Sequence, residues 1–416
     1  MGKKVNIGII GFGNIGKAVA ETLRKNQSII QANSGLEIKV KKVCDVRRVK
    51  TSLPLTKNAL DIINDPDIQV VVETIGGVNP ALKFILAALA AGKHVVTPNK
   101  EVLAKHMTKI LAAAKSGRAK ILFEGSVGGG IPIIQPLRSS LLANSVEEIY
   151  GIVNGTTNYI LSQMTKSGME FADALAEAKD KGYAEPDPTA DVKGYDAAYK
   201  VAILASVAYG LDVDWQTVYC EGIDSISQED IQYAKDIGYV IKLLAIAKIV
   251  DGKLDVRVHP ALVNISHALA SVNDNFNAIY VKGNPVGEVM FYGPGAGGGP
   301  TASAIISDVI TAVGRKSKLE RRKLKKAKVK SIADIESRYY IRLQAADRHG
   351  VLAGISKAFA RKKVSIAAVV QKETIGNNAT IVIMVHKVKE KNLRTALSSI
   401  TKLSLVKKIS TVIRIV

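Results

Sequence analysis

Two cysteines in 416 residues, Cys44 and Cys220, exclude a disulfide framework and fit a reducing compartment. No apolar run approaches the roughly 20 residues that span a bilayer, not even Val201 to Ala208. The chain enters strand-like sequence at once, Lys3-Lys-Val-Asn-Ile-Gly-Ile-Ile10, which leaves no room for a signal peptide. The expectation is a cytoplasmic protein without membrane contact. Acidic residues are scarce beside basic ones, 37 against 58, for a net charge of +21. Much of that excess is local, because ten Lys or Arg face one Glu between Arg315 and Lys330. No aromatic residue interleaves with these charges to stack on bases, so the run reads as a solvated linker and not a nucleic-acid contact. The rest of the excess is spread thinly and favours small anionic molecules. A hydrophobic content of 47% and 23% charged residues are those of a soluble globular protein, with length for two or three domains.

Strands and helices alternate over the first third. Residues 4 to 10 read as a buried strand, then Gly11-Phe12-Gly13-Asn14-Ile15-Gly16 opens an amphipathic helix to about Asn26. Further strands are expected at 37–45, 68–73, 94–97 and 119–124, with helices at 80–91 and 101–116. Units of this kind imply a parallel, doubly wound α/β sheet over residues 1–145. From about Val146 the texture changes, which marks a second, α+β domain over 146–314. Its helical patterns run to about Leu211. Strand-like segments follow at 253–263, 277–282 and 289–292, and a Gly-rich loop opens a helix expected to pack back on the first domain. After a basic linker, 315–337, residues 338–416 read strand, helix, strand, strand, helix, strand, a ferredoxin-like third domain.

The glycine loop lies between a strand and a helix, which is the context in which GxGxxG carries meaning. Gly11 permits the tight turn, Gly13 lets backbone N–H groups approach a pyrophosphate, and Gly16 allows close helix–strand packing. The helix N-terminus adds partial positive charge. At the end of the second strand, Asp45 suits a ribose 2′-hydroxyl and hence NAD. Arg47, Arg48 and Lys50 follow at once and suit a 2′-phosphate, so the reading leans to NADP with NAD use left open. Later strand ends supply Thr74 with Gly76 and Gly77, then Thr97-Pro-Asn-Lys100. Ligands of such sheets lie beyond the strands' carboxyl ends, which places Lys100 to meet cofactor or substrate.

The segment Gly182 to Lys200 carries the densest chemistry. A Pro-rich loop bears Glu185, Asp187 and Asp191, and a helix then sets Asp196 and Lys200 four residues apart on one face. The helix beyond Lys200 is apolar nearly all round and so reads as buried. A lysine at the mouth of such a helix is expected to bind a ligand or move a proton, whereas a surface ion pair would not need that flank.

Together these segments resemble the homoserine dehydrogenase family. The likeness runs through GFGNIG, ETIGG, TPNK, EGSVGGGIPII, NGTTNYIL, GYAEPDPTADVKGYDAAYK and GPGAGG. The C-terminal unit resembles an ACT domain, with Asp347 to Leu352 at the usual ligand-binding turn. The resemblance implies a Rossmann nucleotide domain, a substrate-binding and dimerisation domain, and a regulatory domain. It implies interconversion of L-homoserine and L-aspartate 4-semialdehyde with NADP or NAD, on the route to threonine and methionine. Lys200 matches the family's acid–base residue and Lys100 a second functional lysine. A lysine lowered towards neutral pH by burial can take the hydroxyl proton as the carbonyl forms. Glu185 and Asp196 match substrate-holding positions, although Asp196 can instead orient Lys200. Glu124 (carboxylate) with the carbonyls of Val127, Gly129 and Ile131 matches a monovalent cation site, usually sodium. Gly293 begins a loop expected along the cofactor. ACT units pair edge to edge, which implies a homodimer or homotetramer. Threonine inhibits many such members, but His349 stands where many ACT turns have Pro, so threonine is not assigned as the effector.

Two other readings compete. A phosphorylating semialdehyde dehydrogenase needs a nucleophilic Cys, and neither Cys44 nor Cys220 has an activating His in its local sequence. A sensor built from nucleotide and amino-acid domains leaves Lys100, Glu185, Asp196 and Lys200 without a role.

Overall fold

The computed structural model describes residues 2–314, 324–375 and 378–416. They form two compact units, each assembled from three stretches of chain. The first comprises Met1–Gly155, Asp196–Val218 and Phe276–Ala327, the second Thr156–Tyr195, Tyr219–Asn275 and Lys328–Val416.

In the first unit six strands form a parallel sheet: β1 (Lys3–Ile10), β2 (Leu36–Cys44), β3 (Leu55–Thr56), β4 (Val70–Glu73), β5 (His94–Val96) and β6 (Ile121–Leu122). Their order is β3-β2-β1-β4-β5-β6, so the winding reverses between β1 and β4 and opens a crevice there. Val5, Ile7, Ile9, Val70, Val72 and Val96 share one apolar core with Val19 and Leu23 of the helix Asn14–Lys25. Ala302, Ile305, Ile306 and Val309 of the helix Gly298–Val313 join it. A further helix, Gln27–Ser34, is absent from the sequence expectations. It buries no residue and so carries no apolar stripe to read.

Three antiparallel strands of the same unit, Ser145–Ile152, Phe276–Asn284 and Gly287–Pro294, pair in the order third, second, first. The helix Tyr195–Tyr209 is buried at nearly every position from Asp196 to Ser206, as its apolar sequence requires. The two-residue strand that follows it, Leu211–Asp212, pairs with Lys325–Lys326. Part of the basic run is therefore strand, tied by backbone hydrogen bonds, and only its lysine side chains are solvated. The rest of that run, 315–323, lies outside the described residues.

In the second unit a long hairpin joins Tyr239–Val250 to Lys253–Asn264. Its first strand is buried continuously from Ile241 to Ala247, and such a run has no period of two to mark it as strand. Residues from Glu336 fold as strand Glu336–Ala346, helix Val351–Arg361, strands Ile366–Ile375 and Asn378–Lys389, helix Glu390–Ile400 and strand Val406–Ile415. Both helices pack on one face of this sheet around Phe359, Ile383 and Leu393. The last strand also pairs in parallel with the hairpin, through Ala261 with Arg414 and Leu262 with Ile415. The ferredoxin-like sheet thus runs on into its neighbour without a break. Among the described residues no helix is long and apolar enough to cross a membrane.

Candidate active site

At the crevice, Gly11 has φ of 95°, and a Cβ there would lie 2.7 Å from the Thr74 carbonyl carbon. A Cβ on Gly16 would lie 2.3 Å from the Gly11 carbonyl oxygen, so both glycines are required by packing. Thr74 fixes the loop further, its hydroxyl donating to the Gly11 carbonyl at 2.5 Å. Phe12 is buried beneath the loop, and its N–H donates to Asp45. The helix begins at Asn14 with Gly13 as N-cap and no acidic residue in its first turn. Among the described residues no side chain caps it, so the amides of Asn14, Ile15 and Gly16 suit an anionic group.

A cavity of about 270 Å³ adjoins this loop, lined among others by Gly11, Asp45, Arg47, Lys57, Thr74 and Phe84. Asp45 is not open towards it as a ribose-binding carboxylate. Arg47 grips it through Nε at 3.0 Å and Nη2 at 2.8 Å, and the Phe12 N–H donates to it at 2.9 Å. The Arg47 side chain holds the Asp45 carboxyl well below the usual carboxylate range, against the opposing effect of burial. Arg48 is exposed beside this pair. Lys57, which the sequence reading passed over, lines the same cavity.

Lys100 is the first residue of the helix Lys100–Ser116, which begins beyond β5 with the Asn99 side chain capping it. The structure brings Lys100, Asp196 and Lys200 together. Asp196 and Lys200 are buried, 4% and 8% exposed. Lys200 Nζ donates to Asp196 Oδ2 at 2.7 Å and to the Val153 carbonyl at 2.7 Å. Lys100 Nζ pairs with Asp196 Oδ1. Asn154 Nδ2 also donates to Asp196 Oδ2, at 2.8 Å. Burial alone would raise the Asp196 pKa, but Lys200 and then Lys100 outweigh it and hold the carboxyl well below the usual range. One carboxylate thus lies between two ammonium groups. Both of its oxygens are engaged by the protein, which suits orientation of the lysines better than capture of a substrate ammonium. Asn154 lies 42 residues before Asp196, so nothing in its spacing points to that partner.

Glu185 stands on an exposed loop of the second unit. That loop is shaped by the Thr156 hydroxyl, which donates to the Tyr183 carbonyl at 2.6 Å, and by Asp187, which accepts the Thr189 N–H. Gly293 lies one residue before the end of the antiparallel ladder, paired with Asn277.

The Glu124 carboxylate is buried and accepts three main-chain N–H groups, Ile133 at 2.6 Å, Ile134 at 2.8 Å and Gln135 at 2.7 Å. It caps the amides at the start of the helix Ile134–Arg138. Among the described residues no donor reaches the carbonyl oxygens of Val127, Gly129 or Ile131. All three residues are buried.

Neither thiol is activated. Burial, with Asp45 adding to it, pushes Cys44 up to about 11, and burial with Glu221 pushes Cys220 up to about 12. A thiolate-dependent semialdehyde dehydrogenase has no nucleophile here.

The family model for homoserine dehydrogenase matches residues 132–310, and that for its NAD-binding domain matches residues 11–124. An ACT-domain model matches residues 339–404. A homoserine dehydrogenase of Synechocystis sp. is 44% identical over 429 aligned residues, with 99% of both chains covered. The solved homoserine dehydrogenase of Thiobacillus denitrificans superposes with a TM-score of 0.94 at 39% identity, covering 100% of this chain and 98% of its own. A hyperthermophilic archaeal homoserine dehydrogenase solved in complex with NADPH gives a TM-score of 0.63 at 28% identity, over 76% of this chain and 100% of its own.

Proposed function

The chain belongs to the homoserine dehydrogenase family, and on that premise we propose which of its residues carry the reaction. The protein interconverts L-homoserine and L-aspartate 4-semialdehyde with a nicotinamide cofactor, a step of amino-acid biosynthesis. The observation that carries the proposal is the Lys100–Asp196–Lys200 cluster, with Asp196 and Lys200 buried, at the mouth of an apolar helix. Lys200 is the acid–base residue. In the reducing direction its ammonium donates a proton to the aldehyde oxygen as the C–H bond forms. In the oxidising direction the neutral amine takes the hydroxyl proton as the carbonyl forms. A nicotinamide cofactor held at the Gly11–Gly16 loop would supply or accept the hydride. Asp196 orients Lys200 and Lys100 through its two carboxylate oxygens.

With Asp196 committed to lysines, Glu185 is the carboxylate for the substrate's ammonium group. Glu185→Gln is expected to raise KM for homoserine about 10- to 100-fold, the worth of one charge-assisted hydrogen bond, with a smaller change in kcat. Steady-state kinetics at saturating cofactor check this. A fall in kcat at unchanged KM would remove Glu185 from the substrate site.

NADP(H) is the preferred cofactor in this reading, because Arg47 neutralises the carboxylate that would select NAD and leaves a net cationic corner with Arg48 and Lys57. Homoserine-dependent reduction of NADP and of NAD at alkaline pH tests function and preference together. The double substitution Arg47→Ala with Arg48→Ala is expected to lower the NADP-over-NAD ratio of kcat/KM by about 10- to 100-fold. A ratio unmoved by that change would refute the assignment, and no turnover with either cofactor would refute the function.

The carbonyls of Val127, Gly129 and Ile131 are proposed as the main-chain ligands of a structural sodium ion. The turn Asp347–Leu352, with Gln371, lines a surface cleft proposed as the site of an amino-acid effector. Ile366–Ile375 is the edge strand of its sheet, which supports a homodimer or homotetramer formed by edge pairing.

A further inference from the structure

Glu73 closes β4 and opens the ETIGG segment. It is 1% exposed, and burial pushes its pKa up against the hydrogen bonds it receives from Thr97, Ile75 and Gly76. A carboxylate in such a place is costly unless each oxygen is engaged. Both are. Oε1 accepts the Ile75 N–H at 2.7 Å and the Gly76 N–H at 3.4 Å, and Oε2 accepts the Thr97 hydroxyl at 2.6 Å. The Thr97 oxygen accepts the Asn99 N–H at 3.0 Å. The Asn99 side chain donates to the Gly77 carbonyl at 2.7 Å and accepts the Val102 N–H at 3.2 Å, capping the helix that starts at Lys100.

One buried carboxylate therefore ties two strand-end turns to each other, Glu73 to Gly77 and Thr97 to Lys100. The second turn ends on the lysine that pairs with Asp196. Lys100 is a long side chain, 42% exposed, whose reach depends on where its helix begins. We propose that Glu73 is a positioning residue for the reaction, which through the Thr97 hydroxyl fixes the Asn99-capped helix start from which Lys100 reaches Asp196. This rests on the reading of Lys100 and Lys200 given above. A shift of about 1 Å in a catalytic constellation costs about 100-fold in rate, so a lost link in this chain is measurable.

Thr97→Val removes the bridging hydroxyl at nearly constant shape, and Thr97→Ser restores it. Thr97→Val is expected to lower kcat for homoserine oxidation about 10- to 100-fold, with KM and the Kd for NADPH changed by no more than about threefold. Thr97→Ser is expected within about threefold of the parent. In a Lys100→Ala background the same Thr97→Val change is expected to cost no more than about twofold, because its effect runs through Lys100. Glu73→Gln presents an N–H₂ to the Thr97 oxygen, and gives a second route to the same readings should the valine variant fail to fold. The inference is overturned if a folded Thr97→Val enzyme keeps its kcat while Lys100→Ala loses it. It is equally overturned if NADPH affinity falls in step with kcat, or if Thr97→Val costs as much with Lys100 absent. A Lys100→Ala enzyme with undiminished kcat would instead remove the underlying reading, and the inference with it.

Discussion

Replacing Lys200 by alanine is expected to lower kcat about 10³-fold in both directions while NADPH still binds. The size follows from the loss of a general acid–base group, which contributes about 10²- to 10⁴-fold. Lys200 is held at two hydrogen bonds of 2.7 Å, to Asp196 and to the Val153 carbonyl, so its ammonium is fixed before substrate arrives. Such preorganisation is what a proton donor in a transition state requires. The variant also leaves Lys100 as a cation beside Asp196, so the carboxylate keeps one partner and the helix keeps its packing. Stopped-flow or steady-state turnover, with NADPH fluorescence to confirm binding, checks the result. Retention of most of the rate in a folded enzyme would exclude Lys200 as the proton carrier.

Arg342→Ala is expected to destabilise the protein by about 3–5 kcal/mol, the cost of leaving a buried charge without its partner. The Arg342 side chain donates to Asp230 Oδ1 at 2.7 Å and Oδ2 at 3.1 Å, and to Ser227 Oγ at 3.0 Å, and it pairs with Glu229. Asp230 is fully buried and is the capping-box residue of the helix Gln228–Asp236. Loss of the guanidinium therefore strands Asp230 and weakens a helix start at once. Urea unfolding followed by circular dichroism reads the change, and a loss of less than about 1 kcal/mol would show that the network contributes little. The same bonds bear on truncation. Removing residues 338–416 would take Arg342 and Thr411 from Asp230 and the last strand from Ala261 and Leu262. Effector regulation is therefore better probed by point changes at Asp347–Leu352 than by deletion.

Local signals explain which parts of this were legible in the sequence. The glycine loop, the alternation of strands and helices, and the i, i+4 spacing of Asp196 and Lys200 each depend on neighbours in the chain. Lys100 was placed by a general rule about strand ends. What escaped depends on side-chain rotamers or on partners far apart in sequence. Arg47 turning back on Asp45 is a choice of rotamer that composition does not fix. The hold of Glu124 on the amides of residues 133–135 joins groups nine to eleven positions apart, with no periodic signal to mark it. Glu73 sat unremarked inside ETIGG, since the hydroxyl it accepts lies 24 residues on. The parallel pairing of Val406–Ile415 with the hairpin joins segments with no shared motif, so the C-terminal unit read as a free-standing domain.

The assignment of Lys200 as the acid–base residue is tested most directly by chemical rescue of the Lys200→Ala enzyme with small primary amines. If Lys200 moves the proton, homoserine oxidation returns in proportion to the free-base amine and rises with amine basicity, whereas tertiary amines too large for the vacated space give none. An alanine variant that binds NADPH and homoserine, yet gains nothing from any amine across that series, would contradict it.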